Sequence, residues 1–161
     1  MLRTPPISIE LLADRPDLLP SVARLRWQEW GSEPGRQALQ WWVDSTRGEA
    51  GRDALPIAFV AVNSNGRAVG AVSLAPADLP ERSSLTPWVV GTIVQVDHRG
   101  AGVGGALLNR LHQWTAAAGF PRLWVATGGE AIDFYRHCGW RVAEVVDRDD
   151  GEQATVLTIE P

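Results

Sequence analysis

Apolar positions along the chain recur with two different periods, and the switches between them outline the elements. Residues 7–11, ISIEL, alternate and predict a first strand. Leu18, Val22 and Leu25 then recur at helical spacing within 15–30, where Pro16 and Pro20 are acceptable only before the helix or in its first turn. GSEPG (31–35) breaks this helix from a second over 36–48, with Leu39, Trp42, Val43 and Thr46 on one side. IAFVAVN (57–63) and AVGAVSLA (68–75) read as two strands joined by the Asn-Gly signal of a tight hairpin. A polar, proline-rich loop follows over 76–87. WVVGTIVQV (88–96) is nearly all β-branched, the composition of a strand buried on both faces. Leu107, Leu111, Trp114 and Ala118 mark a third helix that stops at Gly119. A strand over 122–127, a short helix over 130–138 with Gly139 at its end, and a hairpin from 140–146 to 154–159 complete the pattern. The order β-α-α-β-β-β-α-β-α-β-β predicts an α/β sheet with helices on both faces, in a single domain spanning 1–161.

Composition narrows the functional classes. Of 161 residues, 45% are hydrophobic and 21% charged, the balance of an ordinary globular protein. A net charge of −4 argues against a nucleic-acid partner, which calls for a basic stripe. No stretch approaches the ~20 apolar residues of a membrane span, and the first residues lack a signal-peptide run, so a cytoplasmic chain is the expectation. Cys138 is the only cysteine, which offers no disulfide and no zinc-ligand spacing. All 15 basic residues are arginine. His112 and His137 both read as exposed positions, and the tryptophans as core or cleft lining.

One stretch conflicts with its own helix. DHRGAGVGGALLNRLHQW (97–114) puts Gly100, Gly102, Gly104 and Gly105 where a helix has to begin. Glycine costs roughly 1 kcal/mol relative to alanine inside a helix. A helix N-terminus, however, exposes unpaired N–H groups and partial positive charge. Glycines let a bulky phosphate approach those N–H groups and tolerate positive φ. The same glycines would equally serve a close strand-to-helix turn. A P-loop is excluded because the chain has no lysine. A dinucleotide fingerprint is met formally by Gly100, Gly102 and Gly105, but its acid about 20 residues on is replaced by Arg122.

The run Arg99-Gly100-Ala101-Gly102-Val103-Gly104 resembles the acetyl-CoA signature of the GNAT (Gcn5-related) N-acetyltransferases, Q/R-x-x-G-x-G/A. Val96 stands where many members have proline. A second region, Phe134-Tyr135 followed by Gly139-Trp140, is similar to the family's C-terminal aromatic-Tyr-x-x-x-Gly-aromatic pattern. The resemblance implies a mixed, mostly antiparallel sheet of six to seven strands, with two parallel strands (88–96 and 122–127) splayed in the middle. It implies acetyl-CoA as cosubstrate, with no metal, held by Thr92, Ile93 and Val94 of the first splayed strand and by Arg99, Gly100, Ala101, Gly102, Val103, Gly104 and Gly105 of the turn. By the same mapping the Val94 N–H would polarise the thioester carbonyl. Tyr135, the only tyrosine, falls at the family's general-acid position, although as a bare pattern it reads equally as a core aromatic beside Phe134.

The general base stays open. Where some members carry a strand glutamate this chain has Ala126, and Glu29, Asp78, Glu81 and His98 are alternatives, as is a neutral fraction of the amine. Cys138 as an acetyl carrier is set against a core cysteine with no base beside it. The family's acceptor cleft maps to 27–35 and 76–88, so Trp27, Trp30 and Trp88 are expected as walls, and Glu29, Asp78 and Glu81 as groups for a cationic amine on a small molecule or peptide. Homodimerisation through sheet edges is a further expectation from the family. The competing reading is a CoA-binding regulatory module without catalysis, which a thiol-release assay over a panel of amines would separate.

Overall fold

A computed structural model describes residues 6–31 and 34–161. Ser32 and Glu33, part of the expected acceptor loop, lie outside the described residues. The elements occur in the order anticipated from periodicity: β1 (Ile7–Leu11), α1 (Leu19–Trp30), α2 (Leu39–Gly48), β2 (Ile57–Asn63), β3 (Ala68–Ala75), β4 (Trp88–Val94), α3 (Val103–Ala117), β5 (Leu123–Thr127), α4 (Ala131–His137), β6 (Arg141–Asp147) and β7 (Gln153–Ile159). The seven strands form a mostly antiparallel sheet in the order β1-β2-β3-β4-β5-β7-β6. Its parallel pair is β4 with β5, Trp88 standing opposite Trp124.

Contacts divide the chain into two compact units, Met1–Leu74 with Gly91–Leu111 and Ala75–Val90 with His112–Pro161. In the first, β1 pairs antiparallel with β2, and β2 with β3. The Asn63 side-chain carbonyl accepts the N–H groups of Asn65 and Arg67, both at 3.0 Å, while Gly66 takes φ +77° to close the hairpin. Val22 of α1, Val60 and Ala71 of the sheet and Ile93 of β4 share one apolar cluster. Pro16 sits in a 3-10 turn and Pro20 in the first turn of α1, where no helical N–H is lost. Gly31 caps the end of α1, and a Cβ there would lie 2.2 Å from the Trp42 indole nitrogen, so the position has no room for a side chain. In the second unit β7 pairs antiparallel with both β5 and β6, and Trp88, Leu79, Val146 and Val156 form the core.

Boundaries of several elements shift by one to three residues from the periodic reading, and two of the shifts have a visible backbone cause. Helix α2 starts at Leu39 and not at 36, because Ala38 is extended (φ −68°, ψ 158°). Strand β4 ends at Val94, two residues early. Gln95 still donates its N–H to Val69 at 2.8 Å, but its carbonyl accepts the His98 N–H at 2.9 Å and starts a 3-10 turn.

Candidate active site

The glycine turn grows out of the end of β4. Gly100 (φ +79°) and Gly102 (φ +82°) both occupy the left-handed region that favours glycine. The Gly102 carbonyl accepts the Ala106 N–H at 3.0 Å as the helix begins. The N–H groups of Gly102, Val103, Gly104 and Gly105 therefore have no acceptor within α3. A Cβ built at Gly100, Gly102 or Gly105 would meet nothing within 4 Å. Four donors and a helix dipole fit a diphosphate.

The preceding strand leaves one edge turned away from β3. Gln95 directs its N–H toward β3, and a Cβ at Gly70 of β3 would lie 3.0 Å from the Ile93 carbonyl. Successive residues of a strand face opposite edges, so Val94 points its N–H and C=O away from β3. On that side the Val94 carbonyl accepts the Arg99 Nε–H at 3.0 Å, and the Arg99 guanidinium also pairs with Glu29 at 3.1 Å.

Upstream of Val94, β4 is held by a buried cation. Arg26 of α1, 2% exposed, donates Nε to the Gly91 carbonyl (3.1 Å), Nη1 to Thr46 Oγ1 (3.2 Å) and Glu49 Oε1 (3.0 Å), and Nη2 to Ser73 Oγ (2.9 Å). Desolvation pulls its pKa down, opposed by the Glu49 charge and hydrogen bond. Gly91 takes φ +62°, and a Cβ there would lie 2.7 Å from Arg26 Nη2. The guanidinium occupies the space that a side chain at 91 would need.

Tyr135 lies on α4, 4% exposed. Its ring meets Phe134 edge-on at 5.1 Å and Trp140 edge-on at 5.4 Å. Its backbone carbonyl accepts the N–H groups of Cys138 and Trp140 at 3.0 Å each, around Gly139 at φ +92°. The ring is thus fixed from its own helix end. The His112 ring lies tilted 5.7 Å from Trp140, and burial lowers its pKa. His112 Nε2 and Trp140 Nε1 are buried without hydrogen-bond partners. Burial pushes the Cys138 thiol up, away from the thiolate form a carrier would need.

A cleft of about 280 Å³ opens at the end of β5, lined by Ala126, Thr127 and Gly128 with Asp78, Leu79, Arg148, Gln153 and Ala154. Glu81 lies outside it. Its Oε1 accepts the Asp149 N–H at 3.1 Å, a bond that holds the carboxyl below its ordinary pKa. Trp30 is 40% exposed and stacks 6.1 Å from Trp42.

The acetyltransferase (GNAT) family model matches residues 18–140. The chain belongs to that family. As a GNAT acetyltransferase it is an enzyme that takes acetyl-CoA as cosubstrate. Solved structures share the GNAT fold. An aminoglycoside 6'-N-acetyltransferase complexed with coenzyme A is 15% identical with a TM-score of 0.74, over 95% of this chain and 96% of that one. An aminoglycoside 6'-acetyltransferase type Ii is 18% identical (TM-score 0.75, 95% and 96%). A spermidine N-acetyltransferase SpeG K23-Q34 chimera from Vibrio cholerae and hSSAT is 16% identical (TM-score 0.70, 96% and 95%). No curated protein matches the chain by sequence. Among the described residues no helix is long and apolar enough to cross a membrane.

Against this GNAT frame two expectations need correcting. Trp88 is fully buried, with its indole N–H on the Leu85 carbonyl at 2.6 Å, so it has no free face for an acceptor. His112 is half-buried against Trp140 and not on the surface, because its helix turns that position inward. Of the remaining acceptor positions, Trp27 is half-buried, Glu29 is exposed and paired with Arg99, and Asp78 lines the cleft. His98 is half-buried with Nδ1 unpartnered. Arg26, Gly91, Thr127, Arg148 and Gln153 were not singled out in the sequence. The glycine inside the β-branched run at 91 was the available signal, since an isolated strand glycine marks a bulge or a close approach.

Proposed function

We propose that the enzyme moves an acetyl group from acetyl-CoA to a primary amine of a small molecule or peptide, by direct transfer in a ternary complex. The helix start carries the reading: Gly100 and Gly102 take left-handed φ, and the four N–H groups from Gly102 to Gly105 have no acceptor within α3. Gly100 to Gly105 would hold the diphosphate, and Thr92 to Val94 the pantetheine arm. Acetyl-CoA supplies the thioester. Val94 N–H, turned to the edge away from β3, donates to the thioester oxygen. The amine nitrogen bonds to the acetyl carbon as the carbon–sulfur bond breaks, and the amine gives up a proton to solvent or to a base. The departing sulfur takes a proton from the Tyr135 phenol, which solvent then replaces.

A phenol of pKa near 10 suits a thiolate, and general acids of this kind contribute typically 10²–10⁴-fold. Tyr135→Phe keeps both edge-on ring contacts while removing the proton. Its kcat should fall at least about ten-fold in a thiol-release assay, with acetyl-CoA affinity by calorimetry unchanged. Wild-type turnover in that variant would remove the role. Thiol release with no amine of a broad panel, alongside intact CoA binding, would favour a non-catalytic CoA-binding module.

A further inference from the structure

Helix α1 reaches β4 twice. Arg26 grips the Gly91 carbonyl, and one turn later Glu29 pairs with Arg99 at 3.1 Å. Arg99 in turn donates its Nε–H to the Val94 carbonyl at 3.0 Å. That carbonyl belongs to the peptide between Val94 and Gln95, whose N–H donates to the Val69 carbonyl of β3 at 2.8 Å. A trans peptide points its N–H and C=O in opposite directions, so this unit is gripped from both sides. The Val94 N–H leaves the strand on the same edge as the capped carbonyl, away from β3. Glu29 and Arg99 are both exposed, and an exposed pair contributes little to folding. What the pair does to the strand edge is therefore its larger consequence.

From this chain of contacts we infer that Arg99 is a positioning residue for acetyl transfer, acting through the Val94 carbonyl, and that Glu29 holds it there. The inference rests on the acetyl-transfer reading and deepens it at one peptide. A bare carbonyl on that edge would set its partial negative charge beside the thioester oxygen, just where that oxygen gains charge. The guanidinium covers the carbonyl with a charge-assisted hydrogen bond and brings positive charge to the same edge. The benefit grows as charge develops on the oxygen, so it acts on kcat and little on KM. Glu29 has a firm base for its part, because Arg26 fixes the preceding turn of α1 to β3 and β4.

The test is thiol release from acetyl-CoA by the full chain with a panel of primary amines, beside calorimetry with acetyl-CoA and with S-ethyl-CoA, which lacks the carbonyl. Arg99→Gln should lower kcat about ten-fold and leave the acetyl-CoA KM within about two-fold. Arg99→Lys keeps a charged donor and should recover part of kcat. Glu29→Gln should lower kcat in the same direction by a smaller factor, with the amine KM unchanged. An unchanged kcat in Arg99→Gln, or a rise in its acetyl-CoA KM alone, would overturn the inference while leaving acetyl transfer standing. A rise in amine KM alone in Glu29→Gln would also overturn it, by giving that carboxylate to the acceptor. If no amine releases thiol with the wild type, the acetyl-transfer reading fails on its own. Calorimetry then decides whether Arg99 tunes the Val94 donor: the wild type should bind acetyl-CoA about three-fold tighter than S-ethyl-CoA, and Arg99→Gln should erase that difference. No preference in the wild type, or the same preference in both proteins, overturns the inference.

Discussion

The polar groups buried around Arg26 and those buried around Trp140 are treated in opposite ways. Arg26 uses four hydrogen bonds to bind α2, Glu49, β3 and β4, and its guanidinium shape decides the residue at 91. Around Trp140, within the other unit, three aromatic rings pack edge to edge or tilted, yet Trp140 Nε1 and His112 Nε2 find no partner. A matched buried network fixes geometry, and breaking it from one side leaves the remaining groups unsatisfied. The unmatched cluster is held by ring packing and keeps a group able to respond to protons. Rigidity is concentrated on the strand that presents Thr92 to Val94, while titration belongs to the neighbourhood of Tyr135.

Arg26→Met attacks the contrast most strongly. It strands the Glu49 carboxylate, two hydroxyls and the Gly91 carbonyl, and should lower stability by roughly 3–5 kcal/mol in urea denaturation. A loss under about 1 kcal/mol would mean that the network is solvated and that the contrast is empty. Gly91→Ala comes next. Its left-handed φ and the Arg26 contact predict a loss of about 1–3 kcal/mol, and the penalty should shrink in the Arg26→Met background, since the two sites touch.

The smallest effect concerns pH. Burial depresses the folded-state pKa of His112 below 6.5, so the unfolded chain binds the proton more readily. Stability is therefore complete above the unfolded pKa, declines as pH falls below about 6.5, and levels off once the folded pKa is passed. His112→Phe keeps a ring against Trp140 without the titration. Its urea midpoint should fall less than that of wild type between about pH 7.5 and about pH 5.5. Equal acid slopes in the two proteins would show that this imidazole is solvated.

Local chemistry made much of this molecule legible. The order of all eleven elements, the Asn63 hairpin and the glycine turn follow from periodicity and from residues with one conformational use. The helix start at Gly102 is legible for the same reason: four glycines in six residues have few other roles. What stayed hidden depends on distant partners. Arg26 stands four residues after Val22, on an apolar stripe, and its partners are 20 to 65 residues away. Nothing within α1 shows that they exist. Trp88 has the letters of a cleft wall, and only the strand pairing beside Trp124 reveals that it is enclosed. Arg148 lies in a turn whose acids suggest a solvated loop, and its place on the cleft depends on where β7 returns beside β5.

The guanidinium anchor at Arg26 also sets how this part of the chain breathes. One side chain rooted in α1 is bonded to α2, β3 and β4, so none of these segments can loosen alone without stripping partners from the others. The Gln95 amide proton, bonded to the Val69 carbonyl of β3, should then trade with solvent only through the same large opening that frees α1, which makes deuterium uptake there a readout of collective unfolding and not of edge fraying.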